Sequence, residues 1–315
     1  MRKKAIVVVG PTASGKTSLG IYICKKFNGE VISCDSMQIY KQMSISTAKP
    51  TVEEMDGIPH HLIDFLDVTA SYSVSSYCAD ARMAFDDVIS REKTPVFVGG
   101  TGLYIDSFLS NTTFLEGASS DDIRLELEKE LKEKGAEEMH RALYLVDPQA
   151  ADNIHPNNTK RVLRALEVYR ATGMTITQQE ELSHSQESDI EPLYIGITYH
   201  NRELLYDRIN RRVDLMIENG LIDEAKAFYS KPYSKTAVAS IGCKELKPYL
   251  DGERTLEECI DRLKMNTRRY AKRQLTWFRR NENIHWVYPD LCSDEELHKS
   301  VDALINKFLA GDLIE

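Results

Sequence analysis

Short apolar runs, separated by longer amphipathic segments, predict a sheet of buried parallel strands. The clearest runs cover residues 5–9, 31–34, 96–98 and 193–198. Residues 16–27 and 204–219, which follow the first and the last of these runs, have the period of α-helices. Strands that alternate with helices in this way are typical of an α/β fold.

The strand pattern stops near residue 111 and returns near residue 193. Polar helices are predicted between these points, over residues 121–134, 136–143, 157–171 and 175–182. Gly173 is predicted to end the third of these helices. A helical insertion in an α/β core is the economical interpretation. We therefore expect residues 1–111 and 193–315 to form the core and residues 112–192 to form a helical insertion domain.

The loop after the first predicted strand has the sequence of a phosphate-binding loop, or P-loop. It reads Gly-x-x-x-x-Gly-Lys-Thr and consists of Gly10, Pro11, Thr12, Ala13, Ser14, Gly15, Lys16 and Thr17. In such a loop, backbone N–H groups surround a phosphate, the lysine reaches the next phosphate and the threonine hydroxyl binds Mg²⁺. Because both flanking elements are present, the motif outweighs an ordinary glycine-rich turn. The sequence predicts a P-loop NTPase-like parallel sheet that binds a di- or triphosphate.

Two further strand ends carry polar residues. Asp35 follows the second predicted strand, and Thr101 lies in a Gly-Gly-Thr-Gly turn after the third. Ligands of open parallel sheets lie at the carboxyl ends of the strands, so Lys16, Asp35 and Thr101 are predicted to face one crevice. A turn or helix N-cap role is the alternative for Asp35. No apolar run ends in the Asp-Glu pair of motor ATPases, so work driven by hydrolysis is not favoured.

The net charge of −9 argues against a nucleic-acid partner only as an average. Eight of the 40 basic residues lie between Arg262 and Arg280, a stretch without acidic residues. On a helical wheel they form two stripes beside a packing arc, one with Arg262, Arg269, Arg273 and Arg280 and the other with Lys264, Arg268, Lys272 and Arg279. The arc contains Ile260, Leu263, Thr267, Tyr270, Ala271, Gln274, Trp277 and Phe278. A solvated helix usually interleaves acidic residues, and a membrane-surface helix has a less mixed apolar arc. A phosphate backbone is the better partner.

The remaining features of the sequence are weaker signals of function. Arg161 and Arg164 share one side of an amphipathic helix, where a solvated face is as reasonable as a binding one. The adjacent His60 and His61 lack a third ligand nearby, so we interpret them as packing residues. The six cysteines contain no Cys-x-x-Cys pair, which favours reduced thiols. No apolar run is long enough for a membrane span, so we expect a soluble, cytoplasmic protein.

Together the motifs resemble those of the tRNA dimethylallyltransferases, also called tRNA isopentenyltransferases. The matching stretches follow the family's order along nearly the whole chain, at residues 10–17, 35–40, 47–50, 59–64, 99–104, 161–169, 208–209, 212–214, 241–242 and 268–279. The P-loop is shared with many NTPases, whereas Asp-Ser-Met-Gln at 35–38 and Tyr-Ala-Lys-Arg-Gln at 270–274 are far more specific. The departures are Ser46 for the usual glycine, Cys243 for tyrosine and Asn158 for aspartate. The resemblance is to the bacterial form, which lacks the C-terminal zinc finger of eukaryotic relatives.

The resemblance implies transfer of a dimethylallyl group from dimethylallyl diphosphate to N6 of the adenosine just 3′ of the tRNA anticodon, with release of diphosphate. The P-loop and Arg208 would hold the diphosphate, and Lys16, with Mg²⁺ on Thr17, would neutralise its charge as the allylic C–O bond breaks. Asp35 would take the proton from N6, and Thr101 would orient the adenine or the leaving group.

The resemblance also implies that the anticodon stem-loop of tRNA is the partner, with the adenine flipped out of the loop into the crevice. The residues expected to contact tRNA are Asp35, Ser36, Met37, Gln38, Thr101, Lys160, Arg161, Arg164, Ile241, Gly242, Lys244, Arg269 and Arg273. We expect the protein to act as a monomer.

Other functions stay open at this point. A P-loop kinase for a small metabolite explains the loop but not the basic helix, and a non-catalytic RNA-binding protein explains the helix but not the loop. An enzyme of the same family that acts on free adenine nucleotides is a third alternative, against which the basic helix weighs.

Overall fold

The computed structural model describes residues 2–114, 120–184 and 188–312. The chain divides into two compact units, the first formed by Met1–Phe108 with Asp189–Glu315 and the second by Leu109–Ser188. The corresponding predicted boundaries lie at residues 111 and 193. Residues 115–119 and 185–187 of the predicted insertion lie outside the described part.

The first half of the first unit contains the elements around the P-loop. They are β1 (Lys3–Val9), α1 (Lys16–Lys26), β2 (Gly29–Cys34), α2 (Val52–Met55), β3 (His60–His61), α3 (Val74–Ser90), β4 (Thr94–Gly99) and α4 (Gly102–Leu109). Helix α3 is absent from the sequence prediction, although its buried residues Tyr77, Ala81, Phe85 and Val88 repeat at helical spacing. Strands β1, β2 and β4 each begin two residues before the predicted run, β4 also ends one residue after it, and β3 was not predicted.

The second unit is helical, as predicted. It contains α5 (Asp121–Lys134), α6 (Ala136–Val146), α7 (Pro148–Asn153), α8 (Thr159–Thr172) and α9 (Ile176–His184). Gly173 ends α8 with a left-handed backbone, φ 72°, as the sequence suggests. The core of this unit is formed by Leu127, Met139, Leu143, Leu163 and Leu166, which project from three of its helices.

The chain then returns to the first unit. The remaining elements are β5 (Ile190–Ile197), α10 (Arg202–Glu218), α11 (Leu221–Tyr229), α12 (Lys235–Val238), α13 (Cys243–Leu250), α14 (Leu256–Phe278), β6 (His285–Val287) and α15 (Asp294–Ala310). Strand β5 begins before the predicted residue 193 because Lys3 pairs with Ile190 and Ala5 with Pro192.

The six strands of the described residues form one parallel sheet in the order β3-β2-β4-β1-β5-β6. One face of the sheet packs against α1 and α15 through a core that includes Ile6, Ile23, Ile195 and Val301. In the register of β1, β4 and β2, Val9 and Cys34 both pair with Gly99, so these three strands end at the same level. The parallel α/β core is confirmed. Among the described helices, none is both long and apolar enough to cross a membrane.

Candidate active site

The P-loop connects the end of β1 to the start of α1, and its backbone requires glycine at both ends. Gly15 has φ 101°, a left-handed conformation that other residues rarely adopt. A Cβ on Gly10 would lie 2.2 Å from the carbonyl oxygen of Ile197 in β5. Thus the loop lies against the end of β5 and leads into the N-terminus of α1, where backbone N–H groups can bind an anion.

Two cavities meet at the P-loop. The first, which we call the Asp35 cavity, has a volume of about 270 Å³ and is lined by residues that include Lys16, Asp35, Ser36, Met37, Gln38, Ile241, Lys244, Tyr270 and Arg273. The second, the Arg208 cavity, has a volume of about 950 Å³ and is lined by residues that include Ala13, Ser14, Gly15, Lys25, Lys49, Arg208 and Arg211. Lys16, Thr17, Arg212 and Met216 line both cavities. Lys16 and Thr17 of the predicted phosphate-binding loop therefore lie where the two cavities adjoin.

Cations dominate this junction. The Nζ of Lys16 donates a hydrogen bond to the carbonyl oxygen of Pro11 at 2.7 Å. The pKa of Lys16 is lowered to about 7, mainly by burial and also by the charge of Arg212, whereas Asp35 acts in the opposite direction. Burial also lowers the pKa of Arg212, whereas Asp35 raises it. A bound anion would relieve the repulsion between the two cations, so the junction is suited to a diphosphate.

Arg208 reaches the P-loop from α10. Its Nε donates a 2.9 Å hydrogen bond to the carbonyl oxygen of Ala13, and its guanidinium lies over the ring of Tyr199. Arg208 and Ala13 both line the Arg208 cavity. The structure thus brings together two parts of the expected diphosphate site that are far apart in sequence.

Asp35 combines a turn with a place on the cavity wall. Its Oδ1 accepts hydrogen bonds from the backbone N–H groups of Met37 at 2.8 Å and Gln38 at 3.2 Å. The alternative role as a turn residue is therefore present in the structure, but it uses one carboxylate oxygen and leaves Asp35 beside Lys16 and Arg212. A carboxylate so held has a fixed direction.

Thr101 contacts Ser36, the residue that follows Asp35. Its Oγ1 accepts a 3.1 Å hydrogen bond from the N–H of Ser36, and its own N–H donates to the carbonyl oxygen of Cys34 at 3.0 Å. The hydroxyl also donates to Ser36 Oγ at 3.4 Å. Strand ends β2 and β4 are thus joined at the site, and Thr101 fixes the position of Ser36.

Helix α14 is the predicted basic helix, and its packing face is confirmed. Leu263, Ala271, Gln274 and Phe278 are buried. The Nε1 of Trp277 donates to Asp106 Oδ2 at 2.7 Å. The cationic stripe with Arg262, Arg269, Arg273 and Arg280 is exposed, and its member Arg273 lines the Asp35 cavity.

The remaining expected tRNA contacts divide between the units. Ile241 and Lys244 line the Asp35 cavity, and Gly242, at φ 125°, precedes α13. Lys160, Arg161 and Arg164 are exposed on α8 of the second unit. The guanidinium of Arg164 lies 3.3 Å from the buried Glu167, which also accepts from Arg124. Arg164 is therefore held by an ion pair within its own unit.

The departures from the family pattern have structural explanations. A Cβ on Gly242 would lie 2.9 Å from the Cβ of Ser46, so the two turns are in close contact. The N–H of Ser46 is fixed by Glu224 Oε1 at 2.8 Å. Cys243 is fully buried in the core around α11, α13 and α14, and burial raises the pKa of its thiol to about 12. Cys243 is a packing residue here. Asn158 is the N-cap residue of α8 and makes no capping hydrogen bond with its side chain.

His60 and His61 each make a hydrogen bond within the fold. His60 Nδ1 lies 2.8 Å from the carbonyl oxygen of Ile58, and His61 Nε2 lies 2.8 Å from Glu30 Oε2. Within residues 2–114, 120–184 and 188–312, no group of three or more His, Cys, Asp or Glu side chains is arranged to hold a metal ion. The six cysteines are not in disulfides.

Sequence reasoning missed Arg212 and Gln274 as site residues. Arg212 lies one helical turn after Arg208 and therefore on the same face of α10, a spacing that could have identified it. Gln274 was interpreted as part of the packing face of α14, which is correct but incomplete. Its Oε1 accepts a 2.8 Å hydrogen bond from the N–H of Thr12 in the P-loop.

Comparison with known proteins agrees with this geometry. Residues 38–281 match the sequence model of a family described as IPP transferase. A tRNA dimethylallyltransferase of Acetivibrio thermocellus is 47% identical over 306 residues, which cover 96% of this chain and 97% of the relative. The chain belongs to the tRNA dimethylallyltransferase family.

Two solved structures extend this assignment to the tRNA dimethylallyltransferase fold. The full-length tRNA isopentenylpyrophosphate transferase from Bacillus halodurans superposes with a TM-score of 0.72 and is 44% identical, and the alignment covers 98% of each chain. A eukaryotic dimethylallyltransferase described as acting on tRNA superposes with a TM-score of 0.83 at 31% identity, over 99% of this chain and 81% of the other. The P-loop-like α/β fold and the family predicted from the motifs are confirmed.

Proposed function

We propose that this protein transfers the dimethylallyl group of dimethylallyl diphosphate to N6 of the adenosine 3′-adjacent to the anticodon in tRNA and releases diphosphate. The observation that carries the proposal is the junction of the two cavities. There the P-loop, Arg212 and Asp35 surround one space, and the wall of that space includes Arg273 of the basic helix. A cationic phosphate site and a carboxylate base therefore border an RNA-facing cavity.

Diphosphate binding is assigned to the P-loop with Lys16, Arg208 and Arg212. The hydroxyl of Ser14 supports this assignment, since Ser14 is 1% exposed and its Oγ has no hydrogen-bond partner among the described residues. A buried hydroxyl without a partner is unfavourable, and a phosphoryl oxygen in the loop would supply one. The N–H groups at the start of α1 and the helix dipole would add to the attraction.

The donor set also fits Mg²⁺, which prefers oxygen ligands and keeps part of its coordination for water and substrate phosphates. Thr17 lines both cavities, and Asp35 lines one of them. The Thr17 hydroxyl would hold the ion, and the diphosphate would provide further oxygens. When bound, the ion would stabilise the negative charge that develops on the leaving group.

Proton removal is assigned to Asp35. An exocyclic amine is a weak nucleophile, and a positioned carboxylate can take its proton as the new C–N bond forms. The turn hydrogen bonds from Met37 and Gln38 occupy Oδ1 and direct the other oxygen. The balance of the step is simple: the allylic C–O bond breaks, its electrons leave with the diphosphate, N6 bonds to the allylic carbon, and the N6 proton goes to Asp35.

The tRNA grip is assigned to the exposed stripe of α14, with Lys160, Arg161 and Arg164 on the second unit. Phosphate contacts from such cations position the RNA without reading its sequence. The adenine cannot react within the anticodon stack, so it must be flipped into the Asp35 cavity. Ser36, Met37 and Gln38 lie on the wall of this cavity, where they can contact the base.

The test is a transfer assay with labelled dimethylallyl diphosphate and three acceptors: unmodified tRNA, the same tRNA with guanosine in place of the target adenosine, and AMP. Label is expected only on the adenosine-containing tRNA. A parallel reaction contains ATP, because a P-loop kinase would transfer phosphate and release ADP. Label on AMP alone would support the free-nucleotide activity, and ADP formed in proportion to product would contradict the proposal.

A further inference from the structure

Gln274 joins three elements that the chemistry requires to be in register. Its side chain is 5% exposed and extends from α14 between two backbone segments. The Oε1 accepts from the N–H of Thr12 at 2.8 Å, and the Nε2 donates to the carbonyl oxygen of Gly100 at 3.0 Å. One amide thus connects the basic helix to the P-loop and to the turn that precedes Thr101.

The space for this amide exists because residue 100 is glycine. A Cβ on Gly100 would lie 2.0 Å from the Nε2 of Gln274, a distance at which one of the two groups must move. Gly100 also lies close to the loop, with its virtual Cβ 3.6 Å from the carbonyl oxygen of Gly10. The glycine and the glutamine therefore form one complementary contact behind the phosphate site.

We propose that Gln274 is a positioning residue, which sets the conformation of the first half of the P-loop for diphosphate binding and ties that conformation to α14. By accepting the Thr12 N–H, Gln274 orients the peptides that lead into Ala13 and Ser14. Arg208 holds the same segment from the other side through the carbonyl oxygen of Ala13. Fixing the loop before binding lowers the entropy lost when the anion binds.

This proposal rests on the proposed function only in taking diphosphate as the anion. The proposal predicts different effects on diphosphate binding and on tRNA binding, which a general packing role for Gln274 would not produce. Loss of the Gln274 contact should weaken diphosphate binding and leave tRNA binding unchanged, because the cations that would contact tRNA lie on the exposed side of the helix.

The test uses the full chain and inorganic diphosphate with Mg²⁺ as the probe. Gln274→Met keeps the side-chain length but removes both hydrogen bonds. Gly100→Ala keeps the glutamine but drives its amide away, so it breaks the same contact from the opposite side. Each change should raise the Kd for diphosphate roughly ten-fold, the effect expected when a buried hydrogen bond is lost. The Kd for tRNA should change less than about two-fold.

Trp277→Phe is the matched control. It removes one half-buried hydrogen bond from the same helix, the 2.7 Å contact with Asp106, but none to the P-loop. The control should leave the Kd for diphosphate within about two-fold of wild type, and melting temperatures should be recorded for all variants. A double variant combines Gln274→Ala with Gly100→Ala, so that the added methyl group occupies the space that the glutamine vacates. Its Kd for diphosphate should rise by less than the product of the increases in the two single variants, Gln274→Ala and Gly100→Ala.

The inference is overturned if Gln274→Met and Gly100→Ala both bind diphosphate as wild type does, or if Trp277→Phe weakens binding equally. Should Gln274→Met fail to fold, Gly100→Ala decides the question by the same criterion. The proposed function is judged separately by label transfer from wild-type enzyme. A wild type that binds diphosphate without transferring label would refute the proposed function and leave the role of Gln274 measurable.

Discussion

Lys264 and Asp214 form an ion pair, with 2.6 Å between Nζ and Oδ1, that joins α14 to α10. Arg268 of the same cationic stripe donates to Asn210 Oδ1 at 2.6 Å. The helical wheel presents the two stripes as equivalent, but the structure commits these two cations to protein contacts. The exposed stripe with Arg269 and Arg273 is therefore the better candidate for binding RNA.

Reversing the charges of Arg269 and Arg273 to glutamate should raise KM for tRNA with little change in kcat. Each lost phosphate contact should reduce the slope of log affinity against log salt by about 0.7 to 0.9. Filter binding at several salt concentrations, combined with steady-state kinetics, measures both effects. Lys264→Gln with Arg268→Gln is the control, because these cations contact α10 and should leave the slope unchanged. If KM for tRNA did not depend on salt and were equal in the wild type and the Arg269 and Arg273 variant, the assignment of this stripe to tRNA binding would be contradicted.

Asp35→Asn should lower kcat by roughly 10² to 10⁴ while binding of both substrates changes little. The asparagine oxygen can still accept from Met37 and Gln38, so the turn is kept and the proton acceptor is lost. Single-turnover rates measure the chemical step, and Kd values for tRNA and a non-reactive diphosphate analogue measure substrate binding. Asp67→Asn is the matched control, since Asp67 accepts similarly from the N–H of Thr69 on the surface. A near-normal rate at saturating substrates would remove Asp35 from catalysis.

Lys16 should take up a proton when diphosphate binds above about pH 7. Burial lowers the pKa of Lys16 to about 7 in the free protein, and a bound polyanion favours the cation and raises that pKa again. The Kd for diphosphate should therefore increase with pH above about 7. Calorimetry in buffers of different ionisation enthalpy measures the uptake, and Lys16→Arg corrects for titration of the diphosphate itself. Equal uptake by both proteins would show that Lys16 is already charged.

Glu30→Gln should destabilise the fold by roughly 2 kcal/mol near neutral pH, because Glu30 is a buried carboxylate paired with Arg91. Hydrogen bonds from Arg91 and His61 lower the pKa of Glu30 from 4.5 to about 2 despite burial. Since the folded pKa lies below the unfolded one, the stabilisation is complete above about pH 4.5 and is lost as pH falls towards 2.

Urea denaturation at several pH values measures this loss. Asp87→Asn removes an exposed partner of the same Arg91 and should destabilise the fold much less, because water screens an exposed ion pair. If the two variants were equally stable at neutral pH, burial of Glu30 would not determine the strength of the pair.

Local sequence patterns predicted the strands near the P-loop, most helices of the second unit and the packing face of α14, because each depends on spacing within a short segment. The contacts that complete the site are long-range. Arg208 meets Ala13 and Gln274 meets Thr12 only because α10 and α14 fold back onto the loop. No periodicity within one element encodes such pairs, and Arg208 was identified only through the family resemblance.

Short or weakly patterned elements were also missed. β3 and β6 contain two and three residues, too few for an alternation to be detected. Helix α3 was recognisable, since Ser73 is its N-cap and Tyr77, Ala81 and Phe85 repeat every four residues. The role of Cys243 required the three-dimensional core, because its burial depends on α11 and α14.

The central position of β1 has a consequence for biosynthesis. Lys3 in β1 pairs with Ile190 in β5. Strand β1 can therefore pair with β5 only after the whole second unit has been synthesised. The contacts of the second unit, in contrast, connect α5–α8, which are close in sequence. Such local contacts form quickly, whereas distant strand pairing is slow. On the ribosome, the second unit can therefore reach its native packing while β1 still lacks one neighbour.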